Sequence, residues 1–193
     1  AVYGFGAGIF FFGYFLFEVP SNIILGKVGA PIWIARIMTT WGIVTVFMIL
    51  IHNSTSFFTM RFLLGVAEAG FYPGVIYYLS QFYPKEHRTK AIGWFQLASP
   101  VALMIGTPAI GLILSLHGTL GFEGWQLIFL LTGIPAIILG VTCFFYLKPS
   151  FQKVKWLTGE EKSWLESRLQ SERETRTFAH LKFYQVFSKP QVW

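Results

Sequence analysis

The stretch Arg61-Phe62-Leu63-Leu64-Gly65-Val66-Ala67-Glu68-Ala69-Gly70-Phe71-Tyr72-Pro73-Gly74 sets a permanent cation and an acid inside an apolar run that extends over 57–82. A bilayer crossing takes about 20 helical residues, so the run is long enough to span. A charge near its middle costs about 2.5–3.5 kcal/mol on insertion scales, so each one needs a reason to be there. Arg61 and Glu68 stand seven residues apart, or two helical turns, and therefore project from one face with backbones about 10 Å apart along the axis. That exceeds the three- or four-residue spacing of a helix ion pair, so each requires another partner.

Outward from this run, four more apolar segments of spanning length fall at 2–25, 32–51, 91–116 and 125–147. The fold class is an all-α membrane protein with five crossings. A β-barrel needs strands alternating apolar and polar, whereas Ile43 to Ile51 and Trp125 to Phe145 are apolar on all faces. Composition agrees: of 193 residues 54% are hydrophobic and 12% charged, and Asp is absent, which leaves too little charge to coat a soluble core. The net charge of +6 gathers between the apolar runs, which fits a lipid bilayer and not nucleic acid. Cys143 is the lone cysteine and lies in an apolar run, so it forms no intrachain disulfide or cysteine-cluster metal site.

Lys and Arg set the expected orientation. Lys27 and Arg36 flank the first connection, Lys85, Arg88 and Lys90 sit in the third, and nine of the fifteen follow Leu147; the second connection, His52 to Ser56, and the fourth, His117 to Gly124, have none. Residue 1 is thus expected on the outer side and everything after 147 in the cytoplasm, in a plasma or inner membrane. Two domains are expected: a transmembrane bundle over 1–147, and a cytoplasmic loop over 148–193 with a short amphipathic helix. Thr158 and Glu161 match a capping box for that helix, with Trp164, Leu165 and Leu169 as its apolar stripe, running to about Arg173. It is expected on the inner membrane face or against the bundle, followed by a linker through Lys189. The chain begins at Ala1 and stops just beyond Lys189-Pro190, so it reads as a piece of a longer protein.

Small residues at Gly4/Gly8, Gly65/Ala69 and Gly70/Gly74 have the spacing of helix packing faces. Pro20, Pro73, Pro100, Pro108 and Pro135 each remove a backbone donor within a span, and the freed carbonyl must be satisfied by a neighbour or a wet cavity. Arg61 is expected to line a cavity and hold a carboxylate in bidentate fashion, and Glu68 to take or release a proton. Glu18, beside Pro20 and Asn22, reads equally as a gate or as a buried hydrogen-bonded acid. The Tyr14 hydroxyl, one turn outward, needs a partner in a neighbouring helix or in substrate. His52 and His117 read as surface residues. No phosphate-binding loop, zinc-spaced cluster or serine nucleophile elbow occurs, so neither an enzyme nor a cofactor is expected.

The segment from Arg61 to Gly74, with Phe82-Tyr83-Pro84 to Arg88 and Ala91-Ile92-Gly93 after it, resembles the fourth-helix signature and following loop of the major facilitator superfamily. Glu seven residues after Arg, together with Gly13-Tyr14 and Glu18-Val19-Pro20-Ser21-Asn22, is similar to the superfamily's anion:cation symporter branch, which includes permeases for tartrate, phthalate, sugar acids and allantoate. The resemblance covers helices two to six and the central loop, with helix one missing. It implies a twelve-helix secondary transporter, working as a monomer with its second half by alternating access, that couples protons to a small organic anion. Carried over by position, Arg61 and Tyr14 become substrate-binding residues, Glu68 the proton-coupling residue, and Glu18, Asn22 and Lys27 a gating or charge network. The acidic-basic motif between helices two and three is degenerate here as Asn22-Ile23-Ile24-Leu25-Gly26-Lys27-Val28-Gly29, lacking its Asp. Gly106-Thr107-Pro108-Ala109-Ile110-Gly111 stands where the helix-five motif falls. Two other readings are a same-fold drug or cation exporter, against which Arg61 argues by charge, and a non-transporting membrane scaffold.

Overall fold

The computed structural model describes residues 2–116, 118 and 121–175, and every regular element among them is helical. The helices are α1 (Val2–Val28), α2 (Ala30–Phe47), α3 (Ser54–Glu68), α4 (Phe71–Phe82), α5 (Lys85–Ser115), α6 (Gly124–Tyr146) and α7 (Gly159–Thr175), with short 3-10 turns at Met48–Leu50 and Phe151–Lys153. Five segments are long and apolar enough to cross a membrane, and α3 with α4 makes the third of them. His117 and the expected linker from 176 to Lys189 lie outside the described residues.

Local chemistry sets the boundaries. Gly29 alone joins α1 to α2; its φ of 95° is readily reached only without a side chain, and Pro31 starts the next helix. Asn53 caps α3 by accepting from the Ser56 backbone N–H at 2.8 Å. The helix expected from 91 begins at Lys85, because Pro84 closes α4's connection and Glu86 suits the positive end of a new helix. The third crossing, read as one run from the sequence, is interrupted between Glu68 and Phe71.

Two glycine-lined seams hold the bundle. Along α2 and α6, a Cβ at Gly42 would meet the Gly133 carbonyl oxygen at 2.8 Å, and one at Gly140 the Thr39 backbone nitrogen at 2.6 Å. The antiparallel pair is extended by Cys143 against Met38, and by the Gln126 amide donating to the Ile49 carbonyl at 3.0 Å. Along α1 and α3, Gly6 faces the Phe57 ring, Gly13 the Phe62 carbonyl, and Gly65 the Phe10 carbonyl and Tyr14 nitrogen, so these helices run parallel with backbones touching. Gly74 packs on Leu25. Gly4 and Gly8, expected as a packing pair, meet open space among the described residues. The spacing alone did not say which face was covered. Outside the seams large side chains point away: Phe15 is 77% exposed and α5 buries none of its residues.

The tail folds back on the bundle. Thr158 and Glu161 form the expected capping box, with the Thr158 N–H donating to the Glu161 carboxylate at 2.8 Å. The Thr158 backbone first and its hydroxyl second hold that carboxyl below the usual range. Leu165 and Leu169, one turn apart, pack on Phe151 with Phe82 and Leu157 around them. Trp164 is not part of this stripe: it is 49% exposed, being turned about 100° from Leu165. Glu172 pairs with Arg88 at 3.1 Å and accepts from the Lys85 backbone N–H at 2.5 Å, which ties α7 to the start of α5.

The α2–α6 seam has no room for a methyl group. In the full-length protein Gly42→Ala should lose about 1–3 kcal/mol of stability, as overpacked cores do. Gly159→Ala, in open space, should leave the melting temperature within a degree or so of wild type. Thermal unfolding in detergent checks the contrast.

Candidate functional site

The interruption of the third crossing has a chemical cause. Pro73 has no N–H for the carbonyl four residues back, that of Ala69. The Ser21 hydroxyl of α1 donates to this carbonyl instead, over 2.7 Å. The Trp33 indole N–H of α2 donates in turn to the Ser21 oxygen over 2.9 Å. Arg36, one turn further on, lays its guanidinium 3.9 Å from the Trp33 ring centroid. At the break itself Gly70 adopts φ 84°, and a Cβ there would collide with Ser21. A carbonyl left without a donor at this depth costs about 1–3 kcal/mol, so Ser21 and Gly70 together define a stable discontinuity.

Glu68 is the last residue of α3 and thus sits at the edge of the break. It is half-buried, and among the described residues it has no hydrogen-bond or ion-pair partner. Arg61, two turns outward on the same helix, is also half-buried; its Nε is enclosed without a hydrogen bond, and its guanidinium lies 5.3 Å from the Phe57 ring centroid. The two charges remain apart, as their spacing required. Tyr14 packs its backbone nitrogen 3.0 Å from where a Cβ of Gly65 would be, which sets it one turn from Glu68 on α3 and one turn from Glu18 on its own helix. Tyr14, Glu18 and Glu68 are therefore brought to one neighbourhood on the α1–α3 seam.

The remaining expected residues divide. Asn22 lies beside Gly70, its carbonyl oxygen 3.4 Å from where a Cβ there would be. Lys27 is exposed in the last turn of α1, away from Glu18, and the two make no ion pair. Among the described residues no cluster of His, Cys, Asp or Glu is arranged to hold a metal. Trp33 and Arg36 were not singled out as site residues in the sequence. Their only signal is a cation and an indole hydrogen three residues apart in a spanning segment, which does not reveal that Trp33 turns toward Ser21 and Arg36 onto the Trp33 ring.

A bundle of spanning helices with ionisable groups on an inner seam defines a polytopic membrane protein. Residues 1–193 match the model of the Major Facilitator Superfamily, and the chain belongs to that family. It is 52% identical over 175 residues to a putative tartrate transporter of Agrobacterium vitis, covering 91% of this chain and 39% of that protein. It is also 52% identical over 169 residues to a quinolone resistance transporter of Acinetobacter baumannii, covering 88% of this chain and 39% of that one. The chain thus spans about two-fifths of the length of these curated relatives. In fold it is similar to a bacterial homolog of the human lysosomal transporter Spinster, in an inward-facing and occupied conformation, with a TM-score of 0.63 and 22% identity over 78% of this chain and 37% of the other.

Ser21→Ala removes the donor for the Ala69 carbonyl and should destabilise the purified full-length protein by about 1–3 kcal/mol. Ser21→Thr keeps the hydroxyl and should restore most of that. Gly70→Ala, strained in the left-handed region, should lose about 1–2 kcal/mol even before its contact with Ser21 is counted. Unfolding followed by circular dichroism ranks the three.

Proposed function

We propose that the protein containing this chain is a secondary transporter that carries a small organic anion together with protons by alternating access. The observation that carries this reading is Arg61: a half-buried guanidinium with an enclosed, unbonded Nε on the seam that also holds Glu68 and Tyr14. A permanent cation at such depth suits a carboxylate, which its planar fork binds in bidentate geometry. Tyr14 adds a hydroxyl, and a proton on Glu68 offsets the negative charge brought in by the substrate. Glu68 ends α3 at a discontinuity held by Ser21, and broken helices near the midplane are where secondary transporters commonly site substrate and coupling ion. The name of the Agrobacterium relative favours a hydroxy-acid substrate. The bias of Lys and Arg supports a cytoplasmic side for α7 and the residues after 147. The protein functions as a monomer with a second half supplying the rest of the pocket.

A second reading, a proton-coupled drug exporter, is favoured by the Acinetobacter relative's name. It requires a substrate that tolerates Arg61, since a simple cation is repelled there. Flux measured with matched organic anions and cations in proteoliposomes separates the two readings.

Glu68→Gln should keep anion exchange down a gradient and lose uphill uptake driven by external acid, because no proton is then carried on that site. Unchanged accumulation refutes the coupling role. Arg61→Ala should weaken anion binding by about tenfold or more, as loss of a charge-assisted bidentate contact does, with folded yield changed far less.

A further inference from the structure

Only Tyr83 and Pro84 separate the end of α4 from the start of α5, and the turn they make is closed by a side chain from far along the sequence. Arg88, in the first turn of α5, donates through Nε and Nη2 to the carbonyl of Tyr83, the capping residue of α4, at 3.3 and 3.1 Å. Its Nη2 also donates to the Glu172 carboxylate of α7 at 3.1 Å. The other oxygen of that carboxylate accepts the backbone N–H of Lys85, the first residue of α5, at 2.5 Å. One acid therefore serves both sides of the turn. It satisfies an N–H that the first turn of a helix leaves free, and it anchors the guanidinium that covers the end of α4. The two side chains are 14% and 24% exposed, and a charge-assisted contact so shielded from water holds better than one on an open surface.

A second attachment lies beside the first. Phe82, the last residue of α4, packs on the cluster of Phe151, Leu165 and Leu169, and two of these three are on α7. The tail helix thus grips the inner end of α4 by an apolar contact and by an ion pair at once. The other end of α4 is the break: Gly70, in the left-handed region, precedes its first residue. Between the two ends stand 12 residues, a rod of about 18 Å. A single helix of that length moves as one piece, so a displacement at Phe82 is carried to Gly70, and from there to Ala69 and Glu68.

We propose that α7 is a strap fastened by Glu172, which holds the inner half of the broken crossing and so sets the geometry of the break from the tail. The proposal builds on the transport reading, in which Glu68 is the residue whose position the strap controls. A pull on α7 reaches that residue through α4, without any contact between the tail and the α1–α3 seam. Glu172 acts through Arg88 and the Lys85 N–H and is a positioning residue.

The test follows amide hydrogen exchange by mass spectrometry in the full-length protein purified in detergent. It needs no substrate, so its outcome is separate from whether an anion is carried. Glu172→Ala should speed exchange about tenfold or more in residues 83–90 and measurably in 69–76, with 125–146 of α6 at the wild-type rate. Lys85→Cys with Glu172→Cys, in a Cys143→Ala background, should exchange fast in both segments when reduced and regain protection in both when oxidised to the disulfide. Acceleration confined to 83–90 reduces Glu172 to a cap for α5 and overturns the strap. Unchanged exchange in both segments overturns it too, as does equal acceleration in α6, which makes Glu172 a contributor to overall stability. A disulfide that protects 83–90 and leaves 69–76 fast has the same consequence.

Discussion

A backbone carbonyl inside a bilayer has no water to fall back on, and the structure turns on how one of them, at Ala69, finds its donor. Proline at 73 withholds the helical N–H, and serine at 21, on a different helix, supplies a hydroxyl at 2.7 Å. That single bond fixes where α1 meets the third crossing and where α3 stops. Trp33 then fixes Ser21, and Arg36 covers Trp33, so three crossings converge on one buried polar chain. Glu68 owes its position at a helix end to this chain, since an unbroken helix would carry it mid-turn.

Around that point the packing follows the rules of lipid as solvent. Helices gain nothing by hiding leucine from acyl chains, so association relies on close backbone approach and on hydrogen bonds. Both principal seams are lined by glycine, and both place carbonyl oxygens where a methyl group has no room. Elsewhere phenylalanines face outward. The same logic singles out Arg61, Arg36 and Glu68: the Nε of each arginine is enclosed without a hydrogen bond, and Glu68 has no hydrogen-bond or ion-pair partner among the described residues, in a setting where partners are close to obligatory.

Outside the spanning segments ordinary aqueous chemistry returns. The tail's helix begins with a reciprocal cap, buries a leucine pair and is tied to α5 by a carboxylate–guanidinium contact. Trp164 illustrates the limit of reading such a helix from composition. Counted with its apolar neighbours it belongs to a stripe, yet one residue of offset turns it out of the leucine cluster and leaves it half exposed.

The amino-acid sequence by itself determined the fold class, the number of crossings, the two-turn separation of Arg61 and Glu68 and the capping box at Thr158. Each depends on hydropathy or spacing within one segment, and helical periodicity makes spacing within a segment a statement about geometry. The family, too, was legible in Arg61 to Gly74. Tertiary structure decided the rest. It chose Gly42, Gly133 and Gly13 over Gly4 and Gly8 as contact points, set Tyr14 and Glu18 on the seam beside Glu68 while leaving Lys27 apart, and matched Ser21 to Ala69 across 48 residues. Those outcomes depend on which faces meet, and a face acquires its partner only when whole helices are set against one another.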